Sequence, residues 1–184
     1  MGALTDKAGP DKTVRGIFIP IVLRTAKQLA GYKTMTKKER DDHNDENRLN
    51  RNKNVLAFIK HYSCCVYSGV NNFCDIQFHH VNAALKLKVV MDMVHHRHSV
   101  AKLVIELKKC VPLRCLFHKI YHASQKSQDS DWPEIEDEMQ RNHRIWLAHL
   151  DILIDDMVAE GWVTLAAIKK EEEKQILKGK FIRI

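Results

Sequence analysis

A long, largely apolar stripe between residues 131 and 160 constrains the fold of this chain more than any other feature. Its members recur at steps of three or four residues, which places them on one face of an α-helix: Ile135, Met139, His143, Trp146, Leu150, Leu153 and Met157. Asp131 and Glu134 form a capping box, Pro133 suits the first turn, and Gly161 ends the helix. We predict one helix of about thirty residues and roughly 45 Å, on which the other helices pack.

Further helices are predicted on both sides of this stretch. The second clear helical pattern has apolar or histidine residues at steps of three or four: Ile76, His80, Ala83, Leu87, Val90 and Val94. The predicted helices run from Pro20 to about Ala30, over 37–67, over 75–95, from Val100 to Lys109, from Pro112 to about Ala123, and from Val163 to Leu177. The predicted fold class is therefore all-α: a compact bundle of about six helices around one long central helix, 131–160.

The length of 184 residues and the hydrophobic content of 45% fit a single helical domain over 1–184. Residues 1–14 are predicted to form a flexible basic arm. Residues 37–54 carry six basic and five acidic residues and one apolar residue, Leu49, which is typical of an exposed charged helix or a disordered segment. Residues 178–184 are predicted to form a basic tail after Gly179.

The chain has no run of about 18 apolar residues, so no membrane span is expected. Its first ten residues are polar and do not resemble a secretory signal. Five cysteines without such a signal are typical of reduced thiols. We therefore expect a cytoplasmic or nuclear protein.

Charge is distributed unevenly along the chain. Residues 86–126, called the basic block below, carry nine basic and two acidic residues, a net charge of +7. Residues 127–160, the acidic block, carry ten acidic residues and two arginines, a net charge of −8. The two blocks could pair within the monomer, pair between copies in a homo-oligomer, or leave the basic block facing a polyanion.

Nucleic acid is the polyanion expected for a basic cytosolic protein. The cations predicted to contact it are Arg97, Lys102, Lys108, Lys109, Arg114 and Lys119. No base-reading motif is present, so the expected ligand is RNA or single strands bound without sequence specificity. A solid basic stripe would favour nucleic acid, and mixed apolar and basic exposure would favour an acidic protein surface.

One stretch has a spacing typical of metal ligands: Cys110, Cys115, His118 and His122. In a helix starting at Pro112, the last three of these share one face, and Cys110 could complete a tetrahedral zinc site. The alternative is a small cysteine and two solvated histidines. A weaker set combines Cys64, Cys65 and Cys74 with His79 or His80, where core cysteines are the alternative.

Enzyme motifs such as GxxxxGK[ST], GxSxG and HExxH are absent, so no enzyme is expected. The stretch from Ile154 to Trp162 resembles, over nine residues, the helix-Gly-Trp corner of Bcl-2-like proteins, without their Asn-Trp-Gly-Arg motif. That resemblance implies protein binding through a helix groove. The sequence therefore predicts a non-catalytic helical binding protein that engages nucleic acid through the basic block, with structural zinc as a further prediction. The alternative is a protein–protein adaptor or assembly subunit.

Overall fold

The computed structural model describes residues 35–127 and 132–182. The predicted arm 1–14 and the predicted helix from Pro20 to Ala30 lie outside these residues. The described elements are α1 (Lys37–Tyr62), β1 (Ile76–His80), a 3₁₀ turn (Ala83–Leu85), α2 (Val90–His95), α3 (Val100–Leu107), β2 (Cys110–Arg114), α4 (Cys115–Ser127), α5 (Trp132–Ala159) and α6 (Leu165–Leu177). The protein is mostly helical but not all-α, because it also contains a two-stranded sheet.

Helix α1 begins and helix α5 ends where local chemistry predicts, but α1 ends at Tyr62 rather than at residue 67 as predicted, and the predicted cap Asp131 of α5 lies outside the described residues. At the start of α1, the Thr36 hydroxyl accepts from the Glu39 amide at 3.3 Å, and the Glu39 carboxylate accepts from the Thr36 amide at 2.7 Å. Helix α5 is followed by Gly161 with φ +71°, and the Trp162 amide donates to the Met157 carbonyl at 2.9 Å. A residue with positive φ just after a helix is the usual stop signal.

The predicted helix over 75–95 is wrong. Its first part is strand β1, which pairs antiparallel with β2 from Ile76 opposite Arg114 to His80 opposite Cys110. The run Ile76-Gln-Phe-His-His80 contains β-branched and aromatic residues and can alternate between two faces, so tertiary pairing outweighs the helical spacing of the longer window.

The predicted helix start at Pro112 is also wrong, because Pro112 lies within strand β2 opposite Phe78. In a two-stranded sheet each strand is an edge, so proline costs little there. The Pro112 carbonyl accepts from the Val66 amide at 3.0 Å, which ties the strand to the segment after α1. Helix α4 begins three residues later, at Cys115, whose amide donates to the Asp75 carbonyl at 2.9 Å.

The most completely buried helix is the short α3 rather than the long α5. Seven of the eight α3 residues are buried, and Lys102 alone in that helix is partly exposed. Helix α5 buries one face and leaves the other in solvent, with Ile145 70% exposed and Ile152 62% exposed. The core therefore forms around α3, and α5 covers one side of it.

A buried polar cluster lies at the C-terminal end of α3. The Glu106 carboxylate accepts from His80 Nε2 at 2.8 Å, from the Leu87 amide at 2.8 Å and from Lys109 Nζ at 2.7 Å. Lys109 Nζ also donates to Gln175 Oε1 at 2.7 Å and to the Leu85 carbonyl at 3.1 Å. We call Glu106, Lys109, His80 and Gln175 the Glu106 network. It joins α3 to the sheet and to α6.

Residues 178–182 continue past α6 along the protein surface. Lys180 Nζ donates to the Ala84 carbonyl at 3.1 Å, and Phe181 packs against the core. Within the described ranges, no helix is long and apolar enough to cross a membrane.

Candidate metal centre

Strand β1 divides its side chains between two environments, because successive residues of a strand point to opposite faces. Phe78 and His80 face the interior, where they contact Trp146 and Glu106 respectively. Gln77 and His79 face α4, where both contact His118. One face of the sheet therefore carries polar groups toward the helix that follows β2.

Helix α4 supplies two histidines to this face. His118 and His122 are four residues apart and so share one side of the helix. Their Nε2 atoms are 3.2 Å apart, and the rings of both lie within 5.0 Å of the His79 ring, centroid to centroid. Ligand-type nitrogen atoms of His79, His118 and His122 all lie within 4.8 Å of one another. We call these three residues the histidine cluster.

Gln77 orients one member of the cluster. His118 Nδ1 lies 2.5 Å from Gln77 Oε1, and an amide oxygen only accepts, so Nδ1 carries the proton. The Nε2 atom of neutral His118 then keeps its lone pair and points toward His122. A hydrogen bond from the remote ring nitrogen is the usual way in which proteins fix a metal-binding imidazole.

The electrostatic environment keeps part of this cluster neutral. Burial, together with the charge that His118 and His122 carry when protonated, lowers the pKa of His79 to about 3. The pKa of His118 is lowered by burial and then by His122 and Lys86. Neutral imidazole is the form that binds metal, so no proton has to be removed from these two rings near pH 7.

The cluster runs from the interior to the surface. His79 is buried, His118 is half-buried and His122 is exposed. Tyr121 packs on the inner side, its ring centroid 4.3 Å from that of His79. On the outer side a depression of about 320 Å³ is lined by His118, Lys119, His122 and Ala123. A small molecule can therefore approach the two outer histidines from solvent.

This arrangement could hold a metal ion. Three imidazole ligands suit zinc and other first-row divalent metals, whereas magnesium and calcium prefer oxygen. Zinc sites with three protein ligands keep a fourth position for water or substrate, and closed structural sites usually have four. The depression beside His118 and His122 offers space for such a fourth ligand.

Two of the four predicted zinc ligands belong to the histidine cluster and two do not. His118 and His122 are brought together as predicted. Cys110 is buried in β2, where its thiol donates to the Glu106 carbonyl at 3.3 Å and where burial raises its pKa, so it does not suit the thiolate ligand role. Cys115 starts α4 and is not part of the cluster. The predicted Cys₂His₂ set is corrected to His79, His118 and His122.

His79 was placed in the weaker set with Cys64, Cys65 and Cys74. None of these cysteines belongs to a metal-type cluster in the described ranges, where all are free thiols. The signal that could have joined His79 to the α4 histidines is the pairing of β1 with β2. That pairing becomes apparent only if Pro112 is assigned to a strand.

The six cations predicted to bind nucleic acid lie in different environments. Arg97 pairs with Asp45 at 3.5 Å, Lys108 with Asp151 at 3.1 Å and Arg114 with Asp75 at 2.7 Å. Lys109 is buried and directs its three donors inward, so it does not fit the predicted phosphate contact. Lys119 is exposed, and Lys102 is partly exposed. Among the described residues, Lys108–Asp151 is the only ion pair within 4.0 Å that joins the basic block to the acidic block.

No family model matches this chain, and no curated protein or solved structure is significantly similar to it. The short resemblance over Ile154 to Trp162 therefore has no support from a family match. The histidine cluster and the charge of the surrounding surface are therefore the features of the molecule that bear on its function.

Proposed function

We propose that this protein binds nucleic acid and hydrolyses its phosphodiester bonds with a divalent metal ion held by His79, His118 and His122. The observation that carries the proposal is the convergence of three imidazoles beside a surface depression. A metal ion with three protein ligands and one open position can polarise a phosphoryl oxygen and acidify a bound water. The sequence contains no enzyme motif and predicts a non-catalytic binder, so the structural cluster is what introduces a catalytic function.

Charge supports an anionic substrate at this place. The formal net charge of the chain is +7, and Lys119 lines the same depression as His118 and His122. A cation beside the open metal position would attract a phosphodiester and partly neutralise the charge on its oxygens. The expected ligand remains RNA or single-stranded DNA without sequence preference, as the basic block predicts.

The proposed reaction is hydrolysis with one water per bond broken. The water loses a proton to bulk solvent, its oxygen forms a bond to phosphorus, and the bond from phosphorus to the leaving sugar oxygen breaks. The leaving oxygen gains a proton from solvent. The products are one phosphomonoester and one alcohol, and no redox partner is needed.

The test is cleavage of labelled single-stranded and double-stranded oligonucleotides by chelator-treated protein supplied in turn with Zn²⁺, Co²⁺, Ni²⁺, Mn²⁺ or Mg²⁺. We expect cleavage with at least one first-row transition metal and loss of cleavage in His122→Ala. His96→Ala is the matched control, because His96 is exposed and lies outside the cluster. Binding without cleavage under every metal would contradict hydrolysis and favour the non-catalytic nucleic-acid binder.

A second function is supported by the outer face of α4. Leu116 is 58% exposed and Ile120 is 49% exposed, and the two lie four residues apart on the side of the helix next to Lys119. Mixed apolar and basic exposure favours a protein partner over a phosphate backbone. The alternative proposal is therefore a protein–protein adaptor whose metal ion stabilises the contact surface. Absence of any nucleic-acid retention at low salt, with or without metal, would favour this alternative.

A further inference from the structure

A groove lined by cationic side chains lies at the N-terminal end of α3 and includes none of the histidine cluster. A groove of about 520 Å³ runs between the second half of α1, the start of α3 and the turn between α5 and α6. Three arginines line it, one pair from α1 and one from the turn before α3: Arg48, Arg51 and Arg97. No aspartate or glutamate lines the groove among the described residues.

The positive charge of the groove is only partly compensated. Asp45, just outside the groove, lies 3.9 Å from Arg48 and 3.5 Å from Arg97, nitrogen to oxygen. Arg51 has no carboxylate within 4.0 Å in the described ranges of the chain. One carboxylate therefore partly compensates two of the three guanidinium groups, so the groove keeps an excess of positive charge.

The turn that carries Arg97 is held against α1. Asn52, buried in the middle of α1, donates from its side-chain amide to the His98 carbonyl at 2.7 Å. Arg97 has a φ of +55°, a left-handed backbone conformation that is unfavourable for residues other than glycine. Such conformations persist where the surrounding structure imposes them, often at ligand sites.

A polar atom without a partner lies in the same turn. His98 Nε2 is buried and makes no hydrogen bond, although buried polar atoms almost always have a partner. Helices α3 and α6 also begin at this groove, at Val100 and Leu165, so the positive ends of both helix dipoles add to its potential.

We propose that this groove is a binding site for a phosphate group. Guanidinium groups bind phosphate oxygens in pairs of parallel hydrogen bonds, and the three arginines line one groove whose lining includes no acidic side chain among the described residues. The volume exceeds that of a lone phosphate and falls within the range of small-molecule sites. The phosphate can therefore belong to a free phosphorylated metabolite or to a nucleic-acid chain. The site is distinct from the candidate metal centre, because no residue that lines the groove belongs to the histidine cluster or to the depression beside it.

The first experiment measures phosphate binding by the full chain in the presence of a chelator, which excludes any metal contribution. Inorganic phosphate and a nucleoside 5′-monophosphate are titrated calorimetrically into the wild type and into the Arg51→Gln/Arg97→Gln variant. Each charged hydrogen-bond donor removed should weaken binding about tenfold, so the double variant should bind about 100-fold more weakly.

Lys53→Gln is the matched control, because Lys53 is an exposed cation of α1 that does not line the groove. It should bind phosphate as the wild type does. Absence of phosphate binding by the wild type, or equal binding by the double variant, would overturn the proposal.

A second arm identifies the source of the phosphate group. The wild type and the double variant are compared for retention of a single-stranded oligonucleotide, with and without competing nucleoside monophosphate. Retention that depends on both arginines and is displaced by the monophosphate identifies the nucleic-acid backbone. Monophosphate binding that depends on the arginines, with unchanged oligonucleotide retention, identifies a free metabolite. If neither monophosphate binding nor oligonucleotide retention depends on the two arginines, the proposed phosphate site is wrong.

Discussion

His79 and His80 are adjacent in β1 but belong to two polar clusters with different properties. His80 enters the Glu106 network, where it donates to a buried carboxylate at 2.8 Å. His79 enters the histidine cluster, where two further imidazoles lie within 5.0 Å of its ring, centroid to centroid. Successive side chains of a strand point to opposite faces of the sheet, so these two neighbours lie in different environments.

The Glu106 network is closed. Lys109 Nζ uses all three of its donors, and the Glu106 carboxylate receives two side-chain donors and backbone amides. Burial raises the pKa of Glu106, but the hydrogen bonds from His80, Lys109 and the Leu87 amide outweigh it and leave the pKa below its ordinary value. A buried ion pair with every donor and acceptor satisfied holds secondary elements together and leaves no free position for a ligand.

The histidine cluster is open. It brings together three rings that all have lone pairs to offer, and it includes no acidic group. Burial, together with the nearby His118 and His122, lowers the pKa of His79. His79 therefore stays neutral near pH 7, the form in which an imidazole binds a metal cation. The difference between the two clusters favours a structural role for Glu106 and supports the proposed metal-binding role of His79.

Disruption of the closed network should have the largest effect. Glu106→Ala leaves the Lys109 ammonium buried without its carboxylate partner, which should cost about 3–5 kcal/mol of unfolding free energy. Asp151→Ala removes the exposed partner of Lys108 and should cost less than about 1 kcal/mol. Urea denaturation of both variants gives the comparison, and equal losses would contradict a structural role specific to the network.

Occupation of the open cluster should have the next largest effect. Free zinc at about 100 times its dissociation constant should stabilise the protein by about 2.7 kcal/mol. His122→Ala should abolish this gain, whereas Cys115→Ser should keep it, because the sulfur lies outside the cluster. Thermal melts with and without zinc, together with elemental analysis, measure both. Loss of the gain in Cys115→Ser would restore the ligand set predicted from sequence.

Acid should weaken the chelator-treated protein over a defined range. The unfolded chain binds a proton at His79 below about pH 6.5, but the folded chain does so only below about pH 3. The unfolded state therefore binds more protons between these values, and stability falls as pH falls. His118 and His143 also have lowered pKa values and act in the same direction.

Between pH 6.5 and 5.0 the loss from His79 should be about 1–2 kcal/mol. Urea denaturation of His79→Leu over this range should show a shallower dependence than the wild type. His96→Ala should follow the wild type, since His96 is exposed and outside both clusters. Parallel curves for the wild type and His79→Leu would show that His79 titrates normally in the folded protein.

Local signals of the chain predicted several helix starts and ends, but they did not predict the sheet. The helix stop at Gly161 depends on neighbouring residues and is confirmed. The capping box at Thr36 and Glu39 is equally local. Strands β1 and β2 are separated by the 29 residues from Val81 to Lys109, which include two helices. Because the strands are not joined by a short turn, no turn motif in the sequence predicts that they pair. Short apolar runs of this kind are ambiguous between helix and strand.

The candidate site was predicted in part for the same reason. His118 and His122 are four residues apart in one helix. Their predicted proximity is therefore correct although the helix starts at Cys115 and not at Pro112. His79 reaches them only through the β1–β2 pairing, a contact across about 40 residues of sequence. The burial of Lys109 is equally non-local, because Gln175 of α6 completes its hydrogen bonds. The sequence predicts Lys109 to be a surface cation, whereas in the fold it is buried and bonded to Glu106 and Gln175.

The smallest predicted effect concerns Gln77, which touches the open cluster without being a ligand. Its amide oxygen accepts from His118 Nδ1, which holds the ring with Nε2 directed toward His122. Gln77→Ala removes this acceptor, so the ring is free to rotate and zinc affinity should fall about tenfold, or about 1.4 kcal/mol. Gln77→Glu places a carboxylate at the same position, which makes the imidazole a stronger donor to the metal and should raise the affinity for zinc.

Gln77 is exposed, so neither change should alter the stability of the chelator-treated protein by more than about 0.5 kcal/mol. Competition against a chromophoric chelator measures the two affinities. Opposite shifts for alanine and glutamate support an orienting role, and identical affinities in all three proteins would show that His118 needs no support from the strand.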